Sequence, residues 1–135
     1  AGLNAVTPVL AAALLNSTIS YLRLEYNART NLGEGVLQYA RCDMAAFPLI
    51  NPALYTTAEQ AAILGAFGRI MKRPILPIAD EVNLSDRVAL DLLVLKPLLA
   101  YLNWDEDAQT VRDRLAGYLT DRVRERVLLA RSARR

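Results

Sequence analysis

Apolar residues recur at helical spacing along most of this chain, between residues suited to starting and stopping helices. Thr7-Pro8 is a good start, because Thr caps free amides and Pro suits the first helical position. The pattern predicts a helix from about Pro8 to Ala28, with Leu15, Ile19, Leu22 and Tyr26 on its inner face. Gly33 and Gly35 then open a turn, and Val36 to Ala40 alternates as a short strand with Val36, Leu37 and Tyr39 as candidates for burial. Pro48 to Pro52 is expected to be extended. Thr56 and Glu59 form a capping box, starting a helix whose stripe is Ala62, Ile63, Ala66, Phe67, Ile70 and Met71 and which stops before Pro74. Pro74 to Ala79 is expected to be extended as well. Ser85 is placed to cap a helix from Asp86 to about Leu95, Pro97 to break or kink it, and Leu98 to Trp104 to add a short further turn. Asp105 starts a last helix running to about Ser132. The expected fold is mainly α with a small β element (α+β), a helical domain of about four to five helices with a short strand or ribbon.

Composition agrees with one compact unit. A chain of 135 residues with 53% hydrophobic content can bury a core of its own. The formal charge of +2 is too small to imply nucleic acid by itself. Cys42 is the single cysteine, which excludes an internal disulfide and makes a reducing cytoplasm the simplest setting. The absence of histidine removes the usual general base and the usual metal ligand. No apolar run approaches the ~20 residues needed to cross a bilayer, so no membrane partner is expected.

Two blocks of residues carry more than periodicity. The first is Leu14-Leu15-Asn16-Ser17-Thr18, followed by Arg29-Thr30-Asn31-Leu32-Gly33-Glu34-Gly35, Val36-Leu37-Gln38-Tyr39 and the exit Asp43-Met44-Ala45-Ala46-Phe47-Pro48. The second is Ser85-Asp86-Arg87-Val88-Ala89-Leu90-Asp91. Together they resemble the C-terminal part of the large adenine-specific N6 DNA methyltransferases, which often serve restriction-modification and related phage-defence systems. In that family an LLNS-like helix precedes an R-T-x-x-G-x-G turn, a short strand and an acidic-apolar-Pro exit, and a D-R-x-x-L-D segment lies near the end. The resemblance implies a C-terminal, DNA-recognition-associated domain over residues 1–135, with a recognition-like core at 1–104 and a charged C-terminal helix at 105–135. The catalytic domain would precede it in a parent polypeptide, which would use S-adenosylmethionine and meet DNA.

Adenine methylation needs a cofactor pocket and an Asn/Asp-Pro-Pro-aromatic turn that grips a flipped base. Asn51-Pro52-Ala53-Leu54-Tyr55 comes near, but it lacks the second Pro and has an extra residue before the aromatic. Its plainer reading is a Pro-bounded loop capping the next helix. No Gly-rich loop follows a strand to hold a dinucleotide-like cofactor. We therefore expect neither catalytic residues nor a cofactor in this chain itself, and no metal site.

Arg29, Thr30, Asn31, Gly33, Gly35 and Arg41 are the candidates for DNA contact. Glycines let a backbone approach phosphate, Arg supplies charge, and Thr and Asn supply hydrogen bonds. The plainer reading is a helix C-cap and turn, with Arg29 neutralising the helix end. Asp86 suits a first helical turn and Arg87 can reach Asp91 at four-residue spacing, both structural roles. The arginines of the tail suit a solvated face, and Trp104 and the tyrosines suit core or rim positions. A contact with DNA through the parent would require Arg29, Arg41, Arg69, Lys72 and Arg73 to converge on one face. The alternative is a helical interaction or dimerisation module with no direct DNA contact. It would dock on its own catalytic domain or a second copy through the narrow seam Val111, Leu115, Leu119, Val123 and Val127.

Overall fold

The computed structural model describes residues 7–31, 36–38, 40 and 47–132. The chain is mainly α with a small β element. Its helices are α1 (Pro8–Leu15), α2 (Thr18–Asn27), α3 (Thr57–Ile70), α4 (Ile78–Glu81), α5 (Ser85–Tyr101) and α6 (Ala108–Ser132), with a 3-10 turn at Pro52–Leu54. Strands β1 (Arg29–Asn31) and β2 (Val36–Gln38) pair antiparallel, with Arg29 opposite Gln38, Thr30 opposite Leu37 and Asn31 opposite Val36.

Helix α3 is the centre of the first core. Its capping box forms as expected: the Thr56 hydroxyl accepts from the Glu59 amide, and the Glu59 carboxylate accepts from the Thr56 amide at 2.7 Å. Ile63, Ala66, Phe67 and Ile70 are buried against Leu10, Ala13 and Leu14 of α1 and Leu90 and Val94 of α5. Ala62 and Met71, expected on the same stripe, are exposed, because they flank it rather than face α1 and α5.

Helix α6 closes the second core against α2 and α5. Leu119 and Ala116 pack with Leu22 and Val82, flanked by Leu115 and Val123, while Val111 joins Leu99 and Ala108. The seam is thus used inside the molecule as far as Val123; Val127 is exposed. An interface along that seam has lost most of its surface to the chain's own core.

Five expectations are corrected. The first predicted helix is two helices, divided at Asn16-Ser17. The division turns Leu10, Ala13, Leu14 and Leu22 inward, leaves Leu15 and Ile19 half-buried and puts Tyr26 in solvent. Pro97 does not end a helix: α5 runs through it. A proline inside a helix costs about 3 kcal/mol or more; burial of Leu90, Val94, Leu95 and Leu99 along α5 offsets it. Ile78 and Ala79, expected to be extended with the residues before them, open α4. The last helix begins at Ala108 rather than Asp105, where the Asp107 carboxylate accepts from the Thr110 amide at 2.9 Å. Ser85 is the first residue of α5 and not its cap, and β1 is a strand the sequence did not announce.

Candidate functional site

The two distinctive sequence blocks meet in a buried polar centre. It begins at the break between α1 and α2, where the backbone must turn and its free groups need partners. The Asn16 side chain donates to the Ala12 carbonyl at 2.9 Å, and the Tyr21 hydroxyl donates to its Oδ1 at 2.7 Å. The Ser17 and Ser20 hydroxyls both donate to the Leu14 carbonyl, at 2.7 and 2.8 Å. Ser17 sits at the N-cap of α2 but its side chain caps nothing there. Asp91 does that work from another helix: it accepts from the Thr18 amide at 2.8 Å and the Thr18 hydroxyl at 2.6 Å. A carboxylate against a helix N-terminus is favoured by both the free amides and the dipole.

The D-R-x-x-L-D block supplies three charged groups, each to a different partner. Asp86 takes a bidentate pair from Arg73, both bonds at 2.7 Å. Arg87, fully buried, donates to Glu81 at 2.7 Å and to the Asn16 carbonyl, and its guanidinium stands 5.3 Å from the centre of the Tyr21 ring. Besides Thr18, Asp91 accepts from Arg112 at 3.2 Å, and Arg112 also donates to the Val82 carbonyl. The expected Arg87 to Asp91 pair is therefore replaced. Arg87 reaches across to the end of α1 and to Glu81, and Asp91 to the start of α2 and to α6.

Glu81 joins the parts. It is wholly buried and is held by Arg73, Arg87 and the Leu76 amide. The Arg73 hydrogen bonds lead in holding its carboxyl down at about 2, against the opposing effect of burial. Arg73 likewise holds Asp86 below the usual carboxylate range. Among the described residues no buried side-chain nitrogen or oxygen lacks a partner. A fully satisfied network of this kind fixes geometry, whereas a partly satisfied one would be costly.

The far end of α2 is also held. Arg126 of α6 donates through Nε and Nη2 to both carboxylate oxygens of Glu25, at 3.0 and 2.8 Å. Asp91 thus fixes the start of α2 and Arg126 its last turns, and only Ala28 separates α2 from β1. Thr30 and Asn31 lie with Arg29 on β1, so this doubly anchored helix leads directly into the first three candidate DNA residues. Gly33, Gly35 and Arg41 lie outside the described residues.

The other cations expected on a common face divide. Arg73 is occupied by Asp86 and Glu81, and Arg69 reaches the Gly65 carbonyl of its own helix. Lys72 is exposed. Asn51 caps the 3-10 turn, accepting from the Ala53 amide at 3.0 Å, and Tyr55 is buried with its hydroxyl donating to the Val94 carbonyl at 3.0 Å. Burial leads in pushing the Tyr55 phenol upward. Asn51 to Tyr55 is thus a turn that anchors α3. Trp104, Tyr101 and Tyr118 are exposed, and the Trp104 indole donates to Glu106 at 3.1 Å.

Sequence reasoning missed Glu81, Arg112 and the Glu25–Arg126 pair. Arg112 left one trace, a charge beside Val111 at the edge of an apolar seam. Among the described residues no cluster of three or more His, Cys, Asp or Glu side chains could hold a metal ion, and no helix is long and apolar enough to cross a membrane. No protein-family model, curated protein or solved structure matches this chain.

Proposed function

We propose that this chain is the C-terminal, DNA-recognition-associated part of an S-adenosylmethionine-dependent adenine N6 DNA methyltransferase of the cytoplasm. The chemistry and the cofactor belong to the parent's catalytic domain. The chain's own task is to present the hairpin that follows α2, with Arg29, Thr30, Asn31 and Arg41 offering charge and hydrogen bonds to phosphate and Gly33 and Gly35 allowing close approach.

The observation that carries this reading is the Thr18–Asp91 contact, where the two blocks that resemble the methyltransferase family meet. Residues that mark a family and yet serve only as scaffold make sense when the scaffold aims something. Here it aims α2, and α2 leads into the hairpin. A rigid element under a recognition loop lowers the ordering cost of binding.

Fluorescence anisotropy with a labelled DNA duplex at low ionic strength tests the reading. Weak binding that falls as salt rises and falls further on Arg29→Ala is expected. Absence of binding at low salt, or binding indifferent to Arg29, would overturn the assignment of the hairpin. Calorimetric titration with S-adenosylmethionine should show no specific heat; a one-to-one isotherm would place cofactor chemistry in this chain.

A further inference from the structure

The outer face of α6 carries an ordered row of exposed residues. On a helix, Asp113, Gly117, Asp121, Arg124, Leu128 and Arg131 fall along one stripe, facing away from the side that packs on α2 and α5. All six are exposed, Leu128 at 56%. Together with Thr120 they border two neighbouring hollows beside Ala79 of α4, and the row spans roughly 27 Å at 1.5 Å per residue. One end is acidic, with Asp113 and Asp121; the other is apolar and basic, with Val127, Leu128, Arg124 and Arg131.

This polarity is self-complementary when reversed. An antiparallel second helix, related by a two-fold axis passing near residue 122, sets Asp113 against Arg131 of the other copy and Asp121 against its Arg124. In the same register Leu128 of one copy meets Gly117 of the other. A Cβ built on Gly117 would touch nothing within 4 Å, so the helix surface there is open to a leucine side chain and to close approach of backbones. Every contact occurs twice, as a two-fold interface requires.

The groups are available for this. Arg131 makes no ion pair among the described residues. Asp121 and Arg124 are joined within the helix at 3.3 Å, but both side chains are more than two-thirds exposed, and such a pair is easily exchanged for another. Asp113 receives hydrogen bonds from Gln109 and Arg112 and remains 58% exposed.

We infer that α6 forms an antiparallel homodimer contact with a second copy of this chain, centred on its outer stripe. The inference goes beyond the DNA reading and does not rest on it. A contact along one helix lies at the small end of specific interfaces, which bury ~1,200–2,000 Å², so the association is of micromolar strength and weakens with salt.

Sedimentation equilibrium over a range of concentrations, on the whole chain and its variants, tests it. Asp113→Arg alone and Arg131→Asp alone should each weaken the dimer by about tenfold or more, since each turns two attractions into two repulsions. Mixed in equal amounts, the two variants should recover the dimer mass, because in the mixed pair both contacts are again opposite in charge. Circular dichroism should show each variant helical. Gly117→Leu, which fills the hollow without touching charge, should also leave a folded monomer. A monomeric unsubstituted chain, single variants of unchanged mass, or a mixture that stays monomeric would each overturn the inference.

Discussion

Thr18 and Asp91, 73 residues apart, form a two-point contact in which one carboxylate accepts from both the amide and the hydroxyl of the same residue. It is why the chain breaks its first helix where it does. Asp91 also balances the Arg112 guanidinium, so one side chain ties α2, α5 and α6 together. Asp91→Ala would leave Arg112 buried with only the exposed Asp113 as a counter-charge, and the loss of one partner of a buried pair costs up to about 3–5 kcal/mol. Thr18→Val removes one hydroxyl donor and should cost only about 1 kcal/mol. Urea denaturation followed by circular dichroism should show that order, and the double substitution should cost less than the two together.

How much of this the sequence revealed depends on how far away the cause lies. The Thr56–Glu59 capping box and the stripe Ile63, Ala66, Phe67 and Ile70 are set by residues within two turns, and both were legible. The break at Asn16-Ser17 was not, because nothing local demands it: Ser17 would sit in a continued helix, and the group that rewards the turn is Asp91. Pro97 misled in the opposite direction, since its local cost is met by burial along α5 that periodicity alone does not weigh. Arg87 and Asp91 have the spacing of a helical pair, yet each finds a better desolvated partner elsewhere. The resemblance rested on blocks that contain Asn16, Ser17, Thr18, Asp86, Arg87 and Asp91, but it did not reveal that these residues meet in one polar centre.

Acid should loosen the polar centre before it reaches the apolar core. Glu81 has a folded-state pKa of about 2 against an ordinary value of 4.5. A depressed carboxyl contributes stability that is present above the unfolded value and is lost as pH falls through the folded one. Unfolding free energy should therefore decline between about pH 5 and pH 2, with Asp86, also lowered by Arg73, adding to the slope. Glu81→Gln should be less stable at neutral pH and show a flatter decline over that window. A profile parallel to that of the unsubstituted chain would mean that Glu81 does not carry the effect.

Leu119 is 1% exposed where α6 meets α2. Leu119→Ala should cost about 2–5 kcal/mol, as expected for a leucine whose cavity is only partly refilled. Leu119→Glu should cost more, because it also buries a charge. The melting temperature should fall equally at low and high protein concentration, since this surface is internal. A concentration-dependent loss would relocate Leu119 to a contact between copies.

The Glu25–Arg126 pair offers a way to separate aiming from touching. Arg126 is on α6, its head held by both oxygens of Glu25, and it is no candidate for DNA contact. Arg126→Ala removes a largely buried, charge-assisted pair, and each hydrogen bond to a charged group contributes about 1.5–3 kcal/mol. The loss should be local, seen as faster amide exchange in the last turns of α2 and in β1, while α3 and the Leu90–Val94 region of α5 stay protected. If α2 positions the hairpin for DNA, duplex affinity should fall with Arg126→Ala while its dependence on salt keeps the same slope, because no phosphate contact has been removed. Arg29→Ala should instead reduce that slope. Faster exchange with unchanged duplex affinity would show that the anchoring of α2 serves the fold alone.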